Sequence, residues 1–164
     1  AGPALCLASL AACASSPPVV EADKAIAPRA QAAPAPQGPV PGSLEDLKQN
    51  AGNMVYFGYD QYNLTAEAQT TLRRQAAWLK EYPEVRVRIA GNCDERGTRD
   101  YNLALGARRA SAAKAYLAAQ GIDPARISTI SYGKERPIDP RSTEAAWSRN
   151  RNAMTLLITT GTGS

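Results

Sequence analysis

The sequence predicts an α+β domain with the element order β-α-β-α-β-(α)-β, in which two main helices cover one face of a single sheet. Three observations support this prediction. Short apolar or alternating runs typical of strands recur between residues 54 and 160, and two longer segments between them repeat apolar residues at helical spacing. Turn residues such as Pro83 and Gly121 separate these segments.

Four strands are predicted, and the second is the clearest, because its apolar residues alternate with Arg86 and Arg88. The predicted strands are Met54–Phe57, Val85–Ala90, Arg126–Tyr132 and Ala153–Thr160.

Two main helices and one short helix are predicted between the strands. Thr65 is a good N-cap for the first helix, which Pro83 ends after about Tyr82. The second runs from about Thr98 to Gln120, and Gly121 follows as the residue that ends it. The short helix spans Thr143–Arg149.

The N-terminal third of the chain has a different composition. Residues 1–12 are apolar and resemble a truncated lipoprotein signal peptide, and Leu10-Ala11-Ala12-Cys13 resembles a bacterial lipobox, which predicts lipidation of Cys13. An ordinary short helix with an unrelated cysteine is the alternative. Residues 13–50 are rich in alanine and proline and predict a flexible tether. The globular domain is therefore predicted to span residues 51–160.

Composition excludes several functional classes. The net charge of +4 is dispersed and forms no dense basic stripe, so no nucleic-acid partner is predicted. The chain has no histidine, which removes histidine-dependent triads and metal sites, and its three cysteines lack zinc-binding spacing. No cofactor or metal is predicted. Cys93 is expected to be a buried residue at a strand end.

A charged loop follows the second predicted strand. Asp94, Glu95 and Arg96 stand between Gly91 and Gly97, and the second helix begins directly afterwards. A carboxylate in this loop and a guanidinium on the following helix could hold a ligand that carries both charges. A solvated loop with a surface ion pair is the alternative.

The helical wheel of the second helix distinguishes its two adjacent arginines. Arg109 shares a stripe with Asn102 and Leu105 beside the apolar face, whereas Arg108 points about 100° further round, into solvent. Arg109 is therefore the better candidate for a specific contact. The alternative is that Arg109 pairs internally with Asp94 or Asp60 and only stabilises the fold.

Several motifs together resemble the OmpA-like peptidoglycan-binding domain, over about residues 50–160. The motifs are Val55–Leu64 (VYFGYDQYNL), Asn92–Thr98 (NCDERGT), Tyr101–Ala110 (YNLALGARRA), Ile130–Pro137 (ISYGKERP) and Trp147–Arg151 (WSRNR). Two positions depart from the family pattern. Asn92 stands where histidine is frequent, and Asn152 stands where many members have arginine.

The resemblance implies one mixed sheet and a non-catalytic domain that binds the diaminopimelate residue of the peptidoglycan stem peptide. By motif, Asp94 is expected to bind its side-chain ammonium and Arg109 its carboxylate. Loop N–H groups near Asp94 are expected to bind a further carboxylate. Further groove residues implied by the resemblance are Asp60, Gln61, Tyr62, Asn102 and Leu105.

The resemblance is closest to the lipoprotein branch of the family, which implies a place in the envelope. The lipid on Cys13 would hold the outer membrane, and the domain would face the periplasm and bind the cell wall. TolB and other Tol proteins are the implied protein partners, with roles in envelope integrity and cell division. A wall hydrolase using Asp94 and Glu95 is the rival interpretation, but no nucleophile or metal cluster in the sequence supports it.

Overall fold

The computed structural model describes residues 38–158, which form a four-stranded sheet with helices packed against it. The strands are β1 (Met54–Tyr56), β2 (Arg86–Asn92), β3 (Ile127–Gly133) and β4 (Asn152–Ile158). The helices are α1 (Leu44–Asn50), α2 (Ala66–Glu81), α3 (Arg99–Ala119) and α4 (Glu144–Asn150), and a short 3-10 helix (Pro124–Arg126) precedes β3. The predicted α+β class and element order are confirmed.

The sheet is mixed, with the strand order β1-β4-β2-β3. Strand β4 runs antiparallel to both β1 and β2, whereas β2 and β3 are parallel. Strands β1, β2 and β3 therefore all point the same way, and their carboxyl ends lie at one edge of the sheet. The loops that follow these three strands meet at that edge.

Each of the four α-helices begins after a serine or threonine whose hydroxyl accepts a main-chain N–H of the first turn. Thr65 accepts from Ala68 at 3.1 Å and Thr98 accepts from Tyr101 at 3.2 Å. Ser43 and Thr143 do the same for α1 and α4. The sequence therefore specifies these helix starts locally, because a capping oxygen satisfies a donor that the helix leaves unpaired.

The core lies between the sheet and helices α2 and α3. It is built from small and branched apolar side chains, and Leu72, Leu79, Val87, Ile89 and Leu117 are almost fully buried. A polar link crosses this layer, because the hydroxyl of Thr155 donates to the side chain of Gln75 at 2.8 Å. Helices α2 and α3 thus lie on one face of the sheet, as predicted.

Helix α1 lies within the segment that the sequence assigns to the tether. Leu47 is fully buried against the core, and the indole Nε1 of Trp78 donates to Asp46 Oδ2 at 2.9 Å. The side-chain hydroxyl of Ser43 caps the helix. The packed part of the chain therefore begins near residue 42, before the domain start predicted at residue 51.

Element boundaries differ from prediction by at most two residues, as is usual at fraying or irregular ends. Strand β2 extends to Asn92, beyond the predicted end at Ala90, because it stays paired with β3 through a register shift. Within residues 38–158, no helix combines the length and apolar character needed to cross a bilayer.

Candidate functional site: a charged cleft at the carboxyl edge of the sheet

The cleft forms where the loops after β1 and β2 meet the first turns of helix α3. It is small, with room for about 60 Å³. The residues that line it are Tyr59, Asp60, Cys93, Asp94, Arg96, Gly97, Tyr101, Asn102, Leu105 and Arg109. Carboxylates and guanidinium groups therefore occur together around one opening.

Helix α3 can approach the sheet closely enough to build this cleft because glycines meet at the crossing. A Cβ atom placed on Gly91 in β2 would overlap the main-chain carbonyl of Gly106 in α3. Helix and strand are therefore in backbone contact one turn before Arg109. This close approach fixes where the side chains of α3 stand relative to the loop after β2.

Arg109 forms the floor of the cleft and is fully buried. Its Nε donates to the carbonyl of Gln61 at 2.8 Å, Nη1 to that of Asn92 at 2.8 Å and Nη2 to that of Gly58 at 3.1 Å. Burial lowers the pKa of this guanidinium, although nearby acidic groups oppose the effect. Arg109 forms no ion pair with Asp94 or Asp60 in the described part of the chain, so the alternative interpretation of an internal ion pair does not hold there.

Asp94 lies beside the floor and is only 4% exposed. Its Oδ1 accepts from the main-chain N and the Nε of Arg96 at 3.1 and 3.2 Å. Its Oδ2 accepts from Arg96 Nη2 at 2.7 Å and from Arg151 Nη1 at 3.4 Å. Burial raises the pKa of Asp94, but the hydrogen bonds from Arg96 outweigh it, so that the pKa lies below its ordinary value.

Arg96 forms one wall of the cleft. Its guanidinium carbon lies 4.2 Å from the ring centre of Tyr59 and 4.1 Å from that of Trp147, so the cation is held between two aromatic rings. Trp147 is fixed in turn, because its Nε1 donates to Glu95 Oε1 at 2.9 Å. The side chain of Arg96 nevertheless remains 31% exposed.

Asp60 lies across the opening on the loop after β1 and is exposed. Its backbone has φ of 55°, a left-handed conformation that aspartate tolerates better than most residues. The hydroxyl of Tyr101 donates to Asp60 Oδ1, and this contact raises the pKa of that phenol. The carboxylate of Asp60 is thus positioned by helix α3 while it remains open to solvent.

Asn102 joins helix α3 to the charged loop. Its Nδ2 donates to the carbonyls of Arg96 at 2.8 Å and Thr98 at 3.0 Å. Lys134 supports the same loop from the other side, because its Nζ donates to the carbonyl of Gly97 at 2.6 Å. These contacts hold the loop from both flanks.

Five of the seven groove residues named from the sequence line the cleft: Asp60, Asp94, Asn102, Leu105 and Arg109. Gln61 and Tyr62 do not. Gln61 contributes its carbonyl to Arg109, and Tyr62 is exposed with the guanidinium of Arg108 lying 5.6 Å from its ring centre. The predicted lipidation site, Cys13, lies outside the described residues, as do residues 1–37 of the predicted signal peptide and tether.

Two loop N–H groups near Asp94 are already engaged. The N–H of Cys93 donates to the carbonyl of Gly133 at 2.8 Å, and that of Arg96 donates to Asp94. These two groups therefore do not offer the anion-binding position that was expected from the loop. Cys93 itself is buried, as predicted.

Tyr59, Arg96 and Tyr101 line the cleft but were not among the predicted groove residues. Tyr101 could have been found, because it precedes Leu105 by one helical turn. No local sequence pattern identifies Tyr59 and Arg96 as cleft residues. The guanidinium of Arg96 packs between the rings of Tyr59 and Trp147, and these three residues come from separate segments of the chain.

The two departures from the family pattern contact each other. Asn92 Nδ2 donates to Asn152 Oδ1 at 2.9 Å, and Asn152 Nδ2 donates to the carbonyl of Arg149 at 2.7 Å. Both residues are buried. The buried pair is therefore neutral, and the main-chain carbonyl of Asn92 accepts from Arg109.

Comparison with known proteins gives consistent matches. Residues 56–151 match the OmpA family. The chain is 50% identical over 117 residues to the peptidoglycan-associated lipoprotein of Agrobacterium fabrum, a match covering 71% of this chain and 66% of that protein. It is 49% identical over 124 residues to the protein of the same name from Mesorhizobium japonicum, covering 76% of this chain and 73% of the relative. The matches thus span about two thirds to three quarters of these relatives.

A solved structure matches as well. The crystal structure of the peptidoglycan-associated lipoprotein from Burkholderia pseudomallei superposes with a TM-score of 0.63 at 40% identity, covering 65% of this chain and 90% of that one. The names of all three of these proteins describe an association with peptidoglycan.

Proposed function

The chain belongs to the OmpA family, among the relatives named peptidoglycan-associated lipoproteins, and on this basis we propose that its domain binds peptidoglycan without catalysis. The proposed ligand is the diaminopimelate residue of the stem peptide, whose side chain ends in an ammonium and a carboxylate. The proposed binding residues are Asp60, Asp94 and Arg109, with Asn102 and Leu105 shaping the cleft.

The observation that carries this proposal is the occurrence of both charge signs around one small cleft. A buried guanidinium at its floor suits a carboxylate, because Arg109 uses three donors for the fold and has five in total. Carboxylates beside it suit an ammonium. A ligand group with only one of these charges would leave the charge of the other sign in the cleft without an ionic partner.

The absence of a catalytic group is part of the proposal. Glu95, paired with Asp94 in the rival hydrolase interpretation, is engaged by the indole of Trp147, and Asp94 is engaged by two arginines. Within residues 38–158, no cluster of acidic or cysteine side chains could hold a metal ion. A hydrolase would need a free acid and base on opposite sides of one bond.

The wider role is a further part of the proposal, and the names of the relatives support it. Lipidation of Cys13 would anchor the chain in the outer membrane, residues 14–41 would act as a tether, and the domain would hold the wall from the periplasmic side. One acyl chain binds a bilayer only marginally, so a multiply acylated cysteine is the proposed anchor. TolB and other Tol proteins are the proposed partners, in support of envelope integrity and cell division.

Sedimentation with purified cell-wall sacculi tests the wall-binding proposal. The chain is expected to pellet with sacculi that contain diaminopimelate and to remain in the supernatant with sacculi that contain lysine at that position. Asp60→Asn should reduce pelleting, whereas the neighbouring exposed substitution Arg108→Gln should not. Equal pelleting with both kinds of sacculi would contradict the proposal, and release of soluble muropeptides would favour the hydrolase.

The partner and anchor proposals need separate measurements. TolB added in increasing amount should displace the chain from sacculi if the two binding surfaces overlap, and unchanged pelleting in saturating TolB would contradict that overlap. For the anchor, Cys13→Ser in the exported precursor should abolish lipid incorporation. Membrane association that persists in this variant would exclude Cys13 as the anchor.

A further inference from the structure

The sheet is covered by helices on one face only. Among residues 38–158, the helices with extensive contacts to the sheet are α2 and α3, to which the side chains of Thr155 in β4 and Ser131 in β3 bond. Because successive side chains of a strand point to opposite faces, the residues next to these positions point away from the helices. This second surface, the outer face, includes Arg86, Arg88, Met154, Leu156 and Ile158.

An apolar ridge runs along β4 on the outer face. Met154, Leu156 and Ile158 occupy alternate positions of this strand and are partly buried. Leu156 and Ile158 are paired across the strands with Arg88 and Arg86 of β2. A solvated sheet face normally carries polar residues at such positions, and parallel pairs such as β2 and β3 are normally covered on both faces. The ridge therefore suits a covering element.

Positive charge accompanies the ridge without acidic residues to balance it. Arg86, Arg88 and Arg136 are exposed and form no ion pair within residues 38–158. The guanidinium carbon of Arg136 lies 3.8 Å from the ring centre of Tyr132, an outward residue of β3. The outward positions of the four strands include no aspartate or glutamate. A partner of the outer face must therefore supply negative charge as well as apolar surface.

This combination distinguishes between kinds of occupant. A second copy of the chain docked through the same face would bring arginines against arginines, which is unfavourable without acidic residues between them. A lipid surface would need protruding apolar side chains, whereas Leu156 and Ile158 are partly buried beside the longer side chains of Arg88 and Arg86. An acidic protein element can place apolar side chains on the ridge and carboxylates on the arginines.

We propose that the outer face binds an acidic amphipathic helix of a partner protein. A helix suits a sheet face, whereas an added strand would need a free sheet edge. Residues two apart in a strand are separated by about 6.7 Å and residues four apart in a helix by about 6 Å. Apolar residues at i, i+4 and i+8 of the partner helix can therefore follow Met154, Leu156 and Ile158, with acidic residues on its flank beside the arginines.

The outer face and the charged cleft are separate surfaces. Arg86 is the first residue of β2, whereas the cleft lies beyond the last residue of that strand, Asn92. A partner helix on the outer face would thus leave the cleft open to its own ligand, and both could be bound at the same time.

Site-specific photocrosslinking in the bacterium that encodes the chain identifies the occupant. The full chain carries p-benzoyl-L-phenylalanine in place of Leu156, and the same label in place of Ser111, exposed on α3, is the control. The label at position 156 should form a protein adduct that the label at position 111 does not form. Mass spectrometry of the crosslinked peptide should place it in a segment with apolar residues at four-residue spacing and a net negative charge.

The identified segment is then synthesised and titrated into the purified full chain. Arg86→Glu/Arg88→Glu should weaken its binding by about tenfold or more, and Arg86→Gln/Arg88→Gln should weaken it less. Arg73→Glu/Arg74→Glu makes the same change of charge on exposed positions of α2 and should alter binding by less than about twofold. A peptide whose acidic residues are replaced by lysine should prefer the Arg86→Glu/Arg88→Glu chain to the unmodified one.

Several results would overturn the proposal. Equal weakening by the two charge reversals, or no weakening by either, would mean that the arginines of the outer face do not recognise the segment. An adduct at position 156 formed only with lipid, with a second copy or with another part of the same chain would assign the face to a different occupant. A crosslinked segment without acidic residues, or no adduct at position 156, would also exclude an acidic helix as the partner.

Discussion

The guanidinium of Arg109 donates from Nη1 to the main-chain carbonyl of Asn92 at 2.8 Å, which ties helix α3 to the last residue of strand β2. Two further bonds reach the loop after β1, at Gly58 and Gln61. One fully buried cation therefore joins three segments of the chain that surround the cleft. The floor of the site is also a structural element of the fold.

Arg109→Met should destabilise the domain as well as remove the proposed carboxylate contact. It leaves three main-chain carbonyls without their donor, and the free energy of unfolding should fall by about 2–4 kcal/mol. Urea unfolding of the chain measures this change. Arg108→Met is the matched control, and it should stay within about 0.5 kcal/mol of the unmodified chain because Arg108 is exposed. Equal stability of both variants would contradict a structural role for Arg109.

The sequence was sufficient to identify Arg109 as a candidate binding residue, but not to predict its hydrogen-bond partners. Helical spacing was sufficient to separate Arg109 from Arg108, because the direction of a side chain on a helix follows from the local periodicity. Its hydrogen-bond partners Gly58 and Gln61 precede it by 51 and 48 residues, so no local pattern encodes them.

The structure departs from the sequence-based prediction at helix α1 and at Arg96, and both departures have the same physical origin. Helix α1 was assigned to the tether because residues 13–50 are rich in alanine and proline, and it is fixed by the contact of Asp46 with Trp78, 32 residues away. The Asp94–Arg96 bond is local, but Trp147 holds Arg96 from the other end of the domain. Periodicity predicts elements, whereas tertiary contacts of this kind decide which polar residues become buried.

The carboxylate of Asp46 should make part of the stability of the domain depend on pH. The N–H of Gly42, first, and then the indole of Trp78 hold the pKa of this carboxylate below its ordinary value. A lowered pKa in the folded state means that the contribution is complete at neutral pH and is lost as the pH falls below about 4. Asp46→Asn should therefore lower the urea midpoint at pH 7 and flatten its decline between about pH 4 and 2.

Glu84→Gln is the control for that titration, because Glu84 is exposed and makes no hydrogen bond within residues 38–158. It should reproduce the pH profile of the unmodified chain. If Asp46→Asn also leaves the pH dependence of the urea midpoint unchanged, titration of Asp46 does not contribute to acid unfolding. Asp94 and Asp139, whose pKa values are also lowered, would then account for the decline.

Cys93 should react slowly with thiol reagents in the folded chain. Burial raises the pKa of its thiol to about 11, and the nearby Arg109 offsets only part of this effect. At pH 8 the thiolate fraction is then lower than that of an exposed cysteine by about a hundredfold, and the side chain is also inaccessible. Labelling with iodoacetamide in a chain carrying Cys6→Ser and Cys13→Ser measures this rate. Urea should restore the rate of a free thiol, and fast labelling without urea would contradict the buried position.

Gly91→Ala should be the most damaging small substitution near the cleft. The added methyl group would overlap the carbonyl of Gly106, which belongs to the backbone of α3 and cannot turn aside as a side chain would. Helix α3 would have to move away from β2, and this overpacking should cost about 2–4 kcal/mol or prevent folding. Because Arg109 follows Gly106 on the same helix, the floor of the cleft would move with it.

Gly38→Ala is the matched control, because nothing lies within 4 Å of the methyl group that it introduces. Urea unfolding of both variants, followed by sedimentation with sacculi below the unfolding range, separates stability from binding. Gly38→Ala should match the unmodified chain in both measurements. A Gly91→Ala chain that folds should pellet less, since a shifted α3 misplaces Arg109 relative to Asp60. Full stability of Gly91→Ala would contradict the backbone contact between α3 and β2 on which the geometry of the cleft depends.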